Sequence, residues 1–239
     1  MYLAPFFLNA AECRLLSTMK LMNTVNFLWI LCVLYCRVLF GQEASLPYGA
    51  RLLPNGDLEL NGTILRKQAR EIALPCRFVL SEGALEVIVA KPDGRMHETL
   101  LCTDIAAVQV QAMLYLLGAE NGSRLPEQGR QGDIVDLFVE WQDDKGETQR
   151  QRIEYWIMDT RSGKNLEPAG WVFVGSTLRN GVFQADYEGN VVINYSVGAT
   201  VLDSPDPAAR DDDTLHVVDA RKKQPQEQHK PMLILKPRR

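Results

Sequence analysis

The sequence predicts an α+β domain: a mostly antiparallel, hairpin-rich sheet with one principal helix packed on it. Three observations carry this. Short apolar runs with period-two alternation recur from Ile72 to Leu202, the signature of strands. Turn residues punctuate them, as in Pro92-Asp93-Gly94, Asp143-Asp144-Lys145-Gly146 and Asn180-Gly181. One stretch alone, Ile105 to Leu116, changes to helical spacing, so the sheet has one main helix to bury its face.

Taken in order, residues 1–41 read as a signal peptide. Lys20 supplies a basic start, Val25 to Cys36 an apolar run, and Gly41 a small residue before the cut. Met19 and Met22 are alternative starts. Residues 42–70 form an N-terminal extension broken by Pro54-Asn55-Gly56 and Asn61-Gly62, with Leu58, Leu60, Ile64 and Leu65 able to supply a short strand or hairpin. Glu71 to Leu80 is a strand that Pro75 interrupts, which predicts an edge or a bulge. Leu85–Lys91 and Arg95–Cys102 are expected to pair antiparallel about Pro92-Asp93-Gly94, with Gly94 taking positive φ.

Asp104 or Thr103 is expected to cap the helix, whose stripe is Ile105, Val108, Ala112, Tyr115 and Leu116, and Gly118 to end it. Val135–Trp141 and Arg152–Met158 form a second hairpin, with Val135, Leu137, Val139 and Trp141 on one face. Trp171–Leu178, Val182–Tyr187 and Val191–Val197 read as a meander, with Trp171 and Phe173 in the core. Leu215 to Val218 is one more strand. Residues 206–239 read as a charged, largely disordered tail with an apolar patch at Met232 to Leu235.

Charge narrows the function. Of 26 basic and 30 acidic residues, segment 1–41 holds three and one, and segment 220–239 holds seven and one. Residues 42–219 therefore keep 16 and 28, a net −12. Such a body repels nucleic acid. No apolar run after residue 41 is long enough to span a membrane.

Several short blocks resemble the YdjY-domain proteins: Leu85-Glu-Val-Ile-Val-Ala90, Gly94 followed by His97-Glu98, Leu116-Leu117-Gly118, Gly170-Trp-Val-Phe-Val-Gly175-Ser176, and Val201-Leu-Asp-Ser-Pro205. The resemblance covers residues 71–205. It implies an exported bacterial protein and no known activity, substrate or cofactor.

The residues that stand out chemically are His97, Glu98, Thr99, Ser176 and Asp203. On a regular strand Glu98 would lie among Met96, Leu100 and Cys102, and a buried carboxylate needs a donor or a raised pKa. His97 would then point to the opposite face. The pair is expected at the rim of a concavity formed with Trp171–Ser176. His97-Glu98 is not a zinc-protease motif, because position 101 is leucine. Ser176 lacks the second glycine of a nucleophile elbow, Ser162-Gly163-Lys164 lacks the upstream glycine of a phosphate loop, and Asp211–Asp213 lacks the calcium-loop glycine. No metal set or cofactor motif emerges. Loss of residues 1–41 leaves two cysteines, Cys76 and Cys102, a candidate disulfide in an oxidising compartment.

The resulting expectation is a binding or assembly module of the cell envelope, in the periplasm or at the cell surface, without catalytic activity. Its partner is an envelope protein or a ligand of unspecified kind. The alternative is a metal-dependent or hydrolytic enzyme using His97 and Glu98, with Asp203 or His216.

Overall fold

The computed structural model describes residues 49–238. The chain divides into units Met1–Leu52 and Leu53–Arg239. Of the first, only the end is described, with a two-residue strand at Arg51–Leu52. The expected signal peptide lies outside the described residues.

The long sheet of the second unit runs in the order Leu58–Leu60, Thr63–Arg66, Glu71–Pro75, Met232–Pro237, Ile134–Gln142, Trp171–Phe173, Leu202–Asp203, Asn190–Ile193, Val87–Ala90, Thr99–Cys102 and Arg77–Phe78. Thr148–Arg152 pairs with Ile134–Gln142 off this path. A smaller sheet orders Lys164–Asn165, Ile157–Asp159, His216–Val218 and Gly83–Ala84. The fold is mostly β with one main helix, and most pairings are antiparallel, as expected.

Several local expectations hold. Asn61-Gly62 and Asn180-Gly181 both take positive φ at the two central positions, the backbone that a tight hairpin turn requires. The hairpin about Asp143–Gly146 forms, and Val135, Leu137 and Val139 are fully buried on one face. Its return strand is Thr148–Arg152, earlier than expected. A 3-10 turn at Ile153–Trp156 leads into the strand Ile157–Asp159.

Others need correction. Val87–Ala90 and Thr99–Cys102 pair parallel, with Val87 beside Thr99 and Ala90 beside Cys102. The chain turns at Pro92–Gly94, and a 3-10 turn at Met96–Glu98 carries it back to the start of the first strand. Every residue of both strands is buried, as in parallel sheets covered on both faces. Gly94 serves close packing rather than positive φ: a Cβ there would sit 3.0 Å from the Gly189 carbonyl, which accepts from Lys91 N. The expected meander is also broken. The helix Gln184–Glu188 intervenes, and Asn190–Ile193 pairs parallel with Leu202–Asp203.

The main helix is Ala107–Leu116, two residues later than a cap at Asp104 would place it. Its buried residues are Ala107, Val110, Met113 and Leu114, whereas Leu116 is exposed. Apolar residues surround this helix, so their spacing selects no face. Gly118 ends the helix as expected. The cap comes from far away: Asp186 accepts from Ala107 N at 2.7 Å and from Val108 N at 3.1 Å. Asp104 is exposed.

The expected tail is the largest correction. Met232–Pro237 lies inside the sheet, antiparallel to Glu71–Pro75 on one side and to Ile134–Gln142 on the other. Leu233, Ile234 and Leu235 have no exposed surface, each worth about 1.5–3 kcal/mol of apolar burial. The basic residues around them answer the acidic body. Lys236 Nζ lies 3.2 Å from Glu71, and Arg238 Nη2 lies 2.8 Å from Asp136. Glu71–Pro75 is thereby an interior strand, not an edge, and the sheet extends beyond residues 71–205 at both ends.

Candidate binding cavity

One cavity, of about 540 Å³, lies against the smaller sheet. The sheet register explains its lining. Asp159 pairs with Lys164 on one side and with His216 on the other. Directly paired residues share a face, so the three side chains form one row across three strands. The 3-10 turn Ile153–Trp156 contributes Glu154, the start of the strand Trp171–Phe173 contributes Trp171, and the loop after Leu202–Asp203 contributes Ser204 to Asp206.

The mouth is ionic. Arg161 Nη2 donates to Asp159 at 2.7 Å and to Asp206 at 2.6 Å. The Arg161 hydrogen bonds hold the Asp159 carboxyl at a pKa of about 2. Burial opposes ionisation of Asp206, but the Arg161 bond and the Ala208 N–H outweigh it and keep its pKa low.

The floor is different. Among the described residues five buried side-chain polar atoms lack a hydrogen-bond partner, and three of them belong to lining residues: Glu154 Oε2, Trp171 Nε1 and His216 Nε2. These residues are 3%, 1% and 2% exposed. An unpaired buried polar group costs about 1–3 kcal/mol, so three among the lining residues call for an explanation. His216 Nδ1 is engaged by Asn194 Nδ2 at 2.6 Å, and that amide nitrogen also donates to Leu85 O at 3.4 Å. Nδ1 is thus the acceptor, and the neutral ring carries its proton on Nε2. Burial pushes the His216 pKa down and the Glu154 pKa up. Glu154 Oε1 is held by Arg152 Nη2 at 3.4 Å, which leaves Oε2 as the unpartnered oxygen.

The five residues marked out by sequence do not converge here. His97 and Glu98 sit on the 3-10 turn, so they do not face opposite ways: His97 Nε2 lies 3.5 Å from Glu98 Oε2. The His97 side chain is 81% exposed. Glu98 shares Arg95 with Glu86, whose pKa is raised first by burial and then by Glu98. Neither lines the cavity, so the expected concavity with Trp171–Ser176 does not include them. Thr99 is fully buried and donates to Arg95 O. Ser176 Oγ accepts from Ala185 N at 3.0 Å, and its backbone is bracketed by Gln111. Asp203 is buried, accepts from Ser196 Oγ and Ser204 N, and has its pKa raised by burial. It adjoins the cavity through Ser204 without lining it.

Cys76 and Cys102 are both buried and free. Arg77 is the residue opposite Cys102, so Cys76 is one step out of register and leaves the strand toward Pro231, whose carbonyl lies 3.6 Å from its Sγ. The expected bridge is absent for that reason. Among the described residues no three His, Cys, Asp or Glu side chains are grouped to hold a metal ion. No helix among them is long and apolar enough to cross a membrane.

No protein-family model, curated protein or solved structure matches the chain. The candidate site therefore rests on its own geometry.

Proposed function

We propose that this protein is an exported binding module of the bacterial cell envelope that takes a small polar ligand into the Glu154–Trp171–His216 cavity without transforming it. One observation carries the binding reading: three of the residues that line a single cavity each hold a buried polar atom without a hydrogen-bond partner. Polar groups left unpaired where they cost stability are expected at sites kept for a partner. The amino-terminal apolar run and the resemblance to YdjY-domain proteins support export. Thermal melts with and without millimolar amino acids, dicarboxylates, sugars or short peptides test the binding. The expected result is that one class raises Tm in the native protein and does so less in Trp171→Phe. No rise with any class would count against it.

One observation favours a second, hydrolytic reading. Glu154 and His216 both line the cavity, and burial raises the carboxyl pKa and lowers the imidazole pKa, shifts of the kind found in acid–base sites. Its residues would then be these two rather than His97 and Glu98. Turnover of an activated ester that is lost in Glu154→Gln would establish it.

A further inference from the structure

The rim of the cavity carries a device of its own; its purpose rests on the binding reading above, but its operation does not. Arg161 belongs to the turn that follows Ile157–Asp159 in the smaller sheet. Asp206 belongs to the loop that follows Leu202–Asp203 in the long sheet. Both line the cavity, as does Asp159. One guanidinium nitrogen, Arg161 Nη2, donates to Asp159 at 2.7 Å and to Asp206 at 2.6 Å. It thereby ties a wall built on one sheet to a wall built on the other.

Each wall is complete without that side chain. On the turn, Asp159 Oδ1 accepts from the backbone N–H groups of Arg161 at 2.8 Å and of Ser162 at 3.3 Å. Thr160 N donates to Leu215 O at 2.8 Å, which pins the turn to the segment leading into His216–Val218. On the loop, Asp206 Oδ1 accepts from Ala208 N at 2.9 Å. The buried Arg124 donates from Nη1 to Asp206 O at 2.8 Å and to Ser204 O at 3.4 Å. Release of the guanidinium therefore leaves neither carboxylate without a donor, and neither wall has to rearrange. The bridge is also the outermost part. The Arg161 side chain is 47% exposed, against 16% for Asp159 and 22% for Asp206. An exposed ion pair is weak and is screened by salt, and the freed guanidinium meets water at once.

We infer that Arg161 is a latch on this cavity: held by Asp159 and Asp206 together it closes the rim, and swung into solvent it admits a small solute, with ionic strength setting the balance. Only hydrogen bonds and an ion pair are exchanged.

The test places one reporter thiol on each wall of the full chain, Ser204→Cys on the loop and Leu166→Cys on the side of the smaller sheet, both at lining positions. Either reporter suffices if the other chain fails to fold. Cys76 and Cys102 are buried and supply the slow background. Alkylation by iodoacetamide, an uncharged reagent, is timed at fixed pH and corrected for the thiolate fraction. Salt is raised from about 0.01 M to about 1 M, which shortens the screening length from about 30 Å to about 3 Å. The expected result is a rate that rises about threefold to fivefold with salt, the range open to a weak exposed pair. Arg161→Ala in the reporter chain should give the raised rate already at low salt and lose the dependence. Asp206→Asn, which keeps an oxygen for Ala208, should do the same, and it serves if Arg161→Ala fails to fold. A low-salt rate unchanged by either substitution, or a salt dependence that survives both, would overturn the latch. Neither result touches the binding reading, which stands or falls on the rise in Tm.

Discussion

His216 combines two facts that usually exclude each other: it is buried, and one ring nitrogen has no partner. Its burial depresses its pKa below the ordinary value of 6.5. As pH falls, the unfolded chain therefore takes up the proton first, and folding stability is lost from about pH 6.5 downward. Tm should drop between pH 7 and pH 5, and His216→Gln should flatten that limb. A limb of equal size in the variant would assign it elsewhere. Glu71 and Asp136 act in a lower window. Burial works against their ionisation, yet hydrogen bonds from Arg150 and Lys236, and from Arg238 and Arg152, lower both pKa values. Their contribution is present above the ordinary carboxylate pKa and is lost as pH falls below it.

Little of this floor was legible at the residue scale. Trp171 was readable as core, but a sequence does not show that its indole N–H goes unanswered. Glu154 alternates with Ile153 and Tyr155 as if facing outward from a strand. The 3-10 turn there rotates it inward, and Tyr155 becomes the exposed residue. His216 was visible as an option. What marks it is its pairing with Asp159 across two strands far apart in sequence.

Among the elements, Met232–Pro237 has the most to explain. Its apolar centre is evident in the sequence, but the prolines, glutamines and basic residues around it imitate a solvated tail. Those basic residues are partners for Glu71 and Asp136, which lie at a distance that sequence pattern does not reveal. Leu235→Ala should cost about 2–5 kcal/mol in urea unfolding, the range for a deleted core leucine. A change within error would mean that the strand is peripheral. The main helix shows the same dependence on distant sequence. With Asp186 as its cap, Asp186→Ala should destabilise by about 0.5–2 kcal/mol, and Asp104→Ala should be nearly silent. The opposite order would restore the local cap. The hairpins were legible because their signals are local: Asn61-Gly62 and Asn180-Gly181 set their own backbone. The parallel pairs were not, since a buried apolar run reads alike in either direction.

For the whole molecule, the mostly antiparallel sheet with one main helix follows from alternation and turn residues, whereas strand order depends on pairings that local pattern leaves open. The thiols illustrate the difference. Cys102 ends one strand and Cys76 immediately precedes its neighbour Arg77–Phe78, but Arg77, not Cys76, is the residue paired with Cys102. Burial pushes the Cys76 thiol up to about 12. Cys76 and Cys102 should both resist a thiol reagent in the native protein and both react in denaturant without prior reduction. A bonded pair under non-reducing mass spectrometry would contradict that register.

The central claim is that the cavity floor is held open for a partner rather than used to hold the fold together. Urea unfolding of Glu154→Gln near pH 7 tests it most directly. Burial raises the Glu154 pKa, so its ionisation weakens the folded state as pH rises through that raised value. The substitution keeps an oxygen for Arg152 and removes the charge. The variant should therefore be at least as stable as the native protein. A loss of about 1–3 kcal/mol, the cost of breaking a satisfied buried partnership, would show that Glu154 Oε2 too is paired within the fold and would contradict the claim.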